Sequence, residues 1–286
     1  MTGWWLVDVS IVVPFHNEEK HIEECIQTLL KLDYDRDLYE ILMINNNSTD
    51  RSVEIVSAYP DVRLLDEKKP GDFAARNLGI AESRGRIIAF TDSDTAPDPD
   101  WLKQIVQAME DPDTALVVGS LRFSSESLGM DLLRDYEAEK NRFIFSSDDP
   151  RIYYGYTCNM AVRRSVFEKL GPFPEVYRNS DAVYVRKVVD NYSCNAVRYG
   201  EQVSVRRLEV ASIWDYFKKA HVYGRDLNRY GTIADARPLH SAERLALFRR
   251  AIRHYRYSAF VAMYLMLLLA MGVISYDSGR LRGLRF

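Results

Sequence analysis

The chain has 286 residues, 47% hydrophobic and 28% charged, a balance that fits one large or two small domains with packed cores. This composition excludes a disordered chain, a collagen-like repeat and a small fold held together by disulfides. The net charge of −3 argues against a general nucleic-acid-binding protein, but it averages an acidic body of −10 over residues 1–236 and a basic end of +7 over residues 237–286.

Strands are predicted to alternate with helices over the first 120 residues. Apolar runs predict strands at residues 9–13, 40–44, 62–65, 86–91 and 115–119. The intervening segments show apolar side chains at helical spacing, as in Ile22, Cys25, Ile26 and Leu29. This alternation predicts an α/β fold with a Rossmann-like, mostly parallel central sheet and helices on both faces.

The remainder of the chain has a looser pattern. Helices are predicted at residues 128–145, 165–170, 181–189 and 212–230, and residues 194–199 are compatible with a short strand. Gly171-Pro172 closes the second of these helices, because neither residue continues a helix. We expect this half to complete the same sheet.

Three polar loops follow predicted strands, at residues 14–18, 45–50 and 92–97. Ligands of such sheets bind beyond the carboxyl ends of the strands, so these loops are the candidate site. In the third loop, Asp92-Ser93-Asp94 places two carboxylates two residues apart, which suits Mg²⁺ or Mn²⁺. The alternative is an ordinary turn, since Asp and Ser favour turns.

The other two loops offer amides and hydroxyls instead of paired carboxylates. Residues 45–50 can hydrogen-bond a base or a ribose, or can form an Asx-rich loop that caps a helix. Residues 14–18 lack the Gly-x-Gly-x-x-Gly pattern, which argues against a nicotinamide or flavin site. Arg76, one helix away, either faces a phosphate or carboxylate or is a surface arginine.

Taken together, five motifs resemble the nucleotide-sugar half of family-two glycosyltransferases with the GT-A fold. They occur in order as Pro14-Phe15-His16-Asn17-Glu18-Glu19, Asn45-Asn46-Asn47-Ser48-Thr49-Asp50, Ala75-Arg76-Asn77, Phe90-Thr91-Asp92-Ser93-Asp94 and Pro99-Asp100-Trp101-Leu102. Residues 159–164, Phe167 and Gly171-Pro172-Phe173 resemble the acceptor-side segment of that family. The likeness extends over residues 9–230.

The resemblance implies metal-assisted, inverting transfer of a sugar from a nucleotide-diphosphate sugar, with a UDP-sugar expected first, to an acceptor hydroxyl or a lipid-linked glycan acceptor. Asp92 and Asp94 would bind Mg²⁺ or Mn²⁺, with Asp94 the more direct ligand. Asp181 would be the general base, the alternative being an N-cap of its helix. The residues implied to line the nucleotide sugar are Pro14, Phe15, Asn17, Glu18, Asn45, Asn46, Arg76, Asp92 and Ser93.

Three positions depart from the family pattern. Asn45 stands where the family usually has an aspartate, Ser180 replaces a glutamate beside Asp181, and Arg206 lies near a usual histidine. These changes leave open a catalytically inactive protein that binds nucleotide sugars or acts as a membrane scaffold. A nucleotidyltransferase is disfavoured, because residues 15–18 are not a Gly-rich phosphate loop.

We expect residues 1–210 to form the GT-A catalytic domain, with the nucleotide-sugar half at 1–120 and the acceptor half at 121–210. A basic helical segment would follow at residues 211–256, and a hydrophobic helix with a basic tail at 257–286. Three cysteines without a pairing pattern and an N-terminus unlike a signal peptide predict a reducing, cytoplasmic compartment.

The basic end of the chain brackets an uncharged stretch at residues 258–276. As a helix it would measure ~28 Å, close to the ~30 Å hydrocarbon core of a bilayer. Such a segment predicts attachment to membrane lipid through residues 257–286, either spanning the bilayer or lying at its interface. The soluble alternative is a buried terminal helix. We therefore expect a protein at the cytoplasmic face of a membrane, without a nucleic-acid partner.

Overall fold

A computed structural model describes residues 7–125, 127–175, 179–230 and 236–283. The strands are β1 (Val9–Phe15), β2 (Tyr39–Asn45), β3 (Arg63–Asp66), β4 (Ile87–Thr91), β5 (Thr95–Pro97), β6 (Leu116–Phe123), β7 (Asn159–Arg163) and β8 (Val197–Arg207). The helices are α1 (Ile22–Leu30), α2 (Ser52–Ser57), α3 (Asp72–Glu82), α4 (Trp101–Ala108), α5 (Leu128–Phe145), α6 (Arg164–Leu170), α7 (Ser180–Asn191), α8 (Ile213–Tyr230), α9 (Ser241–His254) and α10 (Ala259–Gly283).

The first half of the sheet is parallel, as the alternating pattern predicts. Strand β1 pairs in parallel with β2 and β4, and β2 pairs in parallel with β3. Every residue of β1, β2 and β4 is buried, because helices cover both faces and leave no polar side. The register places Phe15 opposite Asn45 and Asn45 opposite Asp66, so these strand ends meet at one edge.

The second half of the sheet is antiparallel, which corrects the expectation of a mostly parallel sheet. The eight strands follow the order β3-β2-β1-β4-β7-β6-β8-β5. Strand β7, which was not predicted as a strand, lies between β4 and β6 and runs antiparallel to both. Strand β8 begins near the predicted position but extends to Arg207, where it pairs antiparallel with the short β5. The α/β class is as predicted, and the sheet is mixed.

The chain forms two compact units. The first comprises Met1–Leu121 and Tyr153–Leu208 and contains most of the sheet. Its core is centred on fully buried residues of β1, α1 and α4, among them Ile11, Ile26 and Trp101. This burial of large apolar side chains is the main stabilising contribution to the unit.

The second unit comprises Arg122–Ile152 and Glu209–Phe286 and is helical. Its core joins Met130 and Leu133 of α5 to Phe217 of α8 and to Leu265 and Leu268 of α10. The predicted boundaries separated these segments, whereas the structure groups residues 122–152 with the C-terminal helices. The apolar face of α5 is the physical reason, because it packs on α8 and α10.

Candidate active site

The Asp92-Ser93-Asp94 motif is a turn that joins β4 to β5. The backbone carbonyl of Asp92 accepts hydrogen bonds from the Thr95 amide at 3.2 Å and from the Thr95 hydroxyl at 2.7 Å. Ser93 is buried beneath the turn, and the carbonyl of Asp94 accepts from the Leu208 amide at 2.8 Å. The turn and the metal-binding interpretations are therefore compatible, because the turn holds both carboxylates at a strand end.

Arg76 of α3 is a buried partner of this turn. Its Nη2 atom donates to Oδ1 of Asp92 at 2.6 Å, and its side chain is 6% exposed. The guanidinium also lies 5.1 Å from the ring centroid of Phe73. Arg76 is therefore not a surface arginine, and one oxygen of Asp92 is already engaged by a cation.

Asp181 lies in the first turn of α7 and does not cap it. The N-cap residue is Asn179, which adopts a left-handed backbone with φ of 65°. The helix is anchored by Tyr184, whose ring centroid lies 4.8 Å from that of Phe173, and by the Ser180 hydroxyl, which donates to the Pro174 carbonyl at 2.5 Å. The N-cap alternative for Asp181 is thus not what the structure shows.

Electrostatics link Asp181 to the acidic turn. Burial raises the pKa of the Asp181 carboxyl above its usual value, and the negative charge of Asp92 raises it further. The Ala182 amide, the Arg76 guanidinium and the Thr157 amide oppose this rise. Asp181, Arg76 and Asp92 come from α7, α3 and the end of β4. Arg76 and Asp92 form an ion pair, and the charges of both act on the Asp181 carboxyl.

The ends of β2 and β3 carry a residue pair that the sequence did not suggest. Nδ2 of the buried Asn45 donates to Oδ1 of Asp66 at 2.7 Å, while Oδ1 of Asn45 accepts from the Ser48 amide at 2.9 Å. Asp66 is exposed at the same edge of the sheet. It therefore places an exposed carboxylate beside Asn45. Its position directly after the predicted strand 62–65 is the signal that could have identified it.

Two predicted nucleotide contacts, Asn17 and Asn46, have side chains that hold loops together. The Asn46 amide donates to the carbonyls of Glu67 and Lys69 and accepts from the Gly71 amide. Oδ1 of Asn17 accepts from the Thr49 amide at 2.7 Å. Contact of these side chains with a nucleotide remains a prediction, and their visible role is to shape the loops.

The remaining predicted residues of the first loop are placed by β1. Pro14 and Phe15 are buried at its end, and the Phe15 carbonyl accepts a hydrogen bond from the backbone amide of Asn46 at 2.9 Å. The backbone amide of Glu18 donates to the Ser52 hydroxyl at 2.8 Å. The first and second polar loops are thus joined into one rim at the carboxyl ends of β1 and β2.

Asn159 of β7 is fully buried, and its side chain is hydrogen-bonded to α4, β6 and β8. Its Oδ1 accepts from Nε1 of Trp101 at 2.9 Å, and its Nδ2 donates to the carbonyls of Ser120 and Val203 at 2.7 and 2.8 Å. Every hydrogen-bonding group of this amide is satisfied inside the protein. Asn159 opposes Thr91 across β7 and β4, directly before Asp92. The motif predicted for the acceptor side therefore begins with a residue that supports the acidic turn.

On β8, the cationic side chain next to the acidic turn is that of Arg207. The strand register places Arg207 opposite Thr95, whereas Arg206 pairs with Glu24 of α1 at 2.9 Å. Burial raises the pKa of the Cys158 thiol to about 12, and the charges that act on it include Asp92, Asp94 and Arg207. The sequence directed attention to Arg206, and strand alternation turns its neighbour towards the site.

The described residues contain no group of three or more His, Cys, Asp or Glu side chains that could hold a metal ion. Asp92 and Asp94 thus offer two carboxylates at most. Mg²⁺ usually binds through one or two carboxylates together with substrate phosphates, so this donor set fits a cation that arrives with a diphosphate.

Solved structures share this fold. The mannosyltransferase PcManGT from Pyrobaculum calidifontis, in complex with GDP-Man and Mn²⁺, matches 93% of this chain and 75% of its own with a TM-score of 0.59 and 21% identity. S. aureus TarS 1-349 in complex with UDP matches 88% of this chain and 73% of its own with a TM-score of 0.53 and 18% identity. The expected GT-A fold is thereby confirmed.

Sequence comparison identifies the family. Glycosyltransferase AglE of Haloferax volcanii is 28% identical over 263 residues, which cover 78% of this chain and 86% of that protein. The family model described as glycosyl transferase family 2 matches residues 10–171. That match spans β1 to α6 and includes the acidic turn and Arg76, and it shows that the chain belongs to glycosyl transferase family 2.

Proposed function

We propose that this chain transfers a sugar from a nucleotide-diphosphate sugar, a UDP-sugar in the first instance, to an acceptor hydroxyl with inversion at the anomeric carbon. The observation that carries the proposal is the cluster of Asp92, Arg76 and Asp181, in which Arg76 binds Asp92 and both charges act on the Asp181 carboxyl. A cation-binding turn, a buried arginine and a carboxyl with a raised pKa are what a donor diphosphate and an incoming hydroxyl require. The GDP-Man, Mn²⁺ and UDP named for the structural neighbours support the same ligand class.

The rim formed by the first and second polar loops, together with Asp66 at the end of β3, would receive the nucleotide. Asp66 presents an exposed carboxylate that Asn45 orients through a 2.7 Å hydrogen bond. A carboxylate in this position can accept a hydrogen bond from a base N–H or a ribose hydroxyl. The replacement of the usual aspartate by Asn45 is thus compensated by its neighbour across the strand pair.

Asp94 and Asp92 would hold the divalent cation, Mg²⁺ or Mn²⁺. Asp94 would be the more direct ligand, because Asp92 already binds Arg76 through Oδ1. When bound, the cation would neutralise the negative charge that develops on the departing diphosphate. Arg76 contributes positive charge to the same region from within the protein.

Asp181 would accept the proton of the acceptor hydroxyl as that oxygen attacks. Its raised pKa makes it a stronger base than an exposed aspartate, while Arg76 and the two amides keep the carboxylate form accessible. A single displacement assisted by one base forms no covalent sugar–enzyme bond. Such a displacement inverts the configuration of the sugar.

The inactive alternative depended on Asn45 and Ser180. The Asn45 side chain is hydrogen-bonded to Asp66 and Ser48, and the buried Ser180 hydroxyl donates to the Pro174 carbonyl. Both departures are thus accommodated by specific contacts. They do not remove Asp181 or the acidic turn.

We also propose that the chain works at the cytoplasmic face of a membrane, on a glycan or lipid-linked acceptor. Helix α10 is the observation behind this part of the proposal. By length and composition, its span Ala259–Arg282 could cross a membrane.

The test is turnover across UDP-, GDP- and dTDP-sugars with and without Mn²⁺. The variant Asp181→Asn should bind donor unchanged but transfer ~10²–10⁴-fold more slowly. The matched control is Asp190→Asn in the same helix, since Asp190 is half exposed and pairs with Arg186 at the surface. Undiminished turnover in Asp181→Asn would reject the assigned base, and donor binding without turnover by the unmodified chain would favour the inactive alternative.

A further inference from the structure

Helix α10 has one buried seam and a broad open face that is apolar. Leu265 and Leu268 are buried in the core of the second unit. By contrast, Phe260 is 80% exposed, Leu267 54% and Ile274 67%. These three residues are spaced by seven and share a face. Contiguous apolar surface of this kind marks an interaction site.

The buried seam joins α10 to α8 at backbone contact. A Cβ atom at Gly224 would lie 1.9 Å from the carbonyl oxygen of Tyr276, and one at Gly279 would lie 1.9 Å from that of His221. The Ser275 hydroxyl also donates to the Phe217 carbonyl at 2.7 Å. The two helices therefore run side by side in close backbone contact over this length.

Helix α8 carries charged side chains beside a stretch of α10 that has none. Asp215 and the exposed Lys218 form an ion pair on α8, and they flank Phe217, which contacts Ser275 inside the uncharged stretch of α10. Because α8 is packed along α10, a bilayer-crossing α10 would carry these charges into the hydrocarbon. Charged side chains there are costly. The packing thus opposes a spanning helix.

The charge pattern of α10 also favours a helix that lies along the membrane surface. Arg256 precedes the helix, and Arg280 and Arg282 lie in its last turn; all three are exposed. No charged residue lies between residues 258 and 276. In a helix lying along the surface, both cationic ends reach the headgroups of the same leaflet, where they attract anionic lipid.

We propose that the second unit is a monotopic membrane anchor: α10 lies in the plane of an anionic leaflet with its open face among the acyl chains, and α8 forms its polar back. This inference rests on the membrane attachment proposed above and specifies its mode and its lipid. It replaces the spanning orientation that the length of the apolar stretch allows.

Spin labels at residues 260, 267 and 274 of the full chain distinguish the two orientations. Each label would be attached after Phe260→Cys, Leu267→Cys or Ile274→Cys in a Cys194→Ser background, since Cys25 and Cys158 are buried. On vesicles containing phosphatidylglycerol, the in-plane helix should place all three at one depth, about 5–10 Å below the surface.

A spanning helix would give a different depth profile and would overturn the proposal. The label at 267 would lie near the bilayer centre, ~10 Å deeper than the other two, because each interval of seven residues rises ~10 Å. Labels that stay accessible to an aqueous relaxant and never contact lipid would also overturn it.

Flotation with vesicles tests the two contributions separately. The double variant Leu267→Glu, Ile274→Glu should lose roughly 100-fold in partitioning, whereas Leu38→Glu, at an exposed leucine of the first unit, should not. Arg280→Gln with Arg282→Gln should lose roughly 30-fold on anionic vesicles only. Equal binding to neutral and anionic vesicles would reject the lipid assignment. Donor binding and turnover, measured in parallel, test the proposed catalytic function independently.

Discussion

Replacing Arg76 by glutamine removes the counter-charge shared by Asp92 and Asp181. The Arg76 side chain is 6% exposed and its partner Asp92 34%, so the ion pair is largely but not fully buried. Breaking a fully buried pair costs about 3–5 kcal/mol, and partial hydration of Asp92 reduces this to about 2–3 kcal/mol. For a unit of this size, Tm should fall by roughly 5–10 °C.

The same variant should change the pH dependence of transfer. Asp181 must be deprotonated to act as a base, so activity falls as the pH drops through its pKa. Arg76 lowers this pKa against the effect of burial. Without Arg76 the pKa rises further, and the acid limb of kcat/KM should move to higher pH. Arg76→Lys, which keeps the charge, should restore most of the original limb.

The control for Arg76→Gln is Arg51→Gln. Arg51 is 74% exposed and pairs with Glu19 at 3.4 Å, so its loss should cost less than about 1 kcal/mol and leave the pH profile unchanged. If Arg76→Gln lowers Tm but leaves the acid limb in place, Arg76 is a packing residue only. The electrostatic coupling of Arg76 to Asp181 would then be refuted.

Three further variants test other parts of the structure. Asp94→Ala should make donor affinity insensitive to chelator in calorimetry; a chelator response like that of the unmodified chain would count against Asp94 as a ligand. Asn159→Leu removes the hydrogen-bond partner of Trp101 Nε1, of the buried Val203 carbonyl and of the partly buried Ser120 carbonyl, and should cost about 3–5 kcal/mol in thermal unfolding, while a change below about 1 kcal/mol would contradict the network. Glu139→Gln removes a buried carboxylate that pairs with Arg142, Arg250 and His254 and should lower the Tm of the second unit more than the matched change Glu137→Gln at a partly exposed pair; equal effects would disprove its central role.

The parallel strands were predictable because of how they are buried. A strand covered on both faces reads as a continuous apolar run, and β1, β2 and β4 are such runs. Strand β7 has no comparable local signal, since five residues beginning with asparagine and ending with arginine also suit a loop. Its conformation depends on hydrogen bonds to β4 and β6, which are distant in the chain.

The sequence predicts which residues form the candidate site, but not the hydrogen bonds that connect them. Asp92, Asp94 and Asp181 follow from motif order alone, and nothing in the structure displaces them. Asp66 was not predicted, because its hydrogen bond to Asn45 joins two strands that are separate in the sequence. Asn46 offers the amide expected of a ligand contact, yet its hydrogen bonds close a loop at residues 67–71.

What the amino-acid sequence determined by itself was local: the order of apolar runs and polar loops, the paired carboxylates, and an acidic body followed by a basic, apolar end. Such features depend on neighbours in the chain and are readable without the fold. Tertiary structure alone decided that Arg76 is buried against Asp92, that α5 joins the C-terminal helices, and that α8 lies along α10. Each of these outcomes is a contact between segments far apart in sequence, and it is set by side-chain packing and charge pairing in three dimensions.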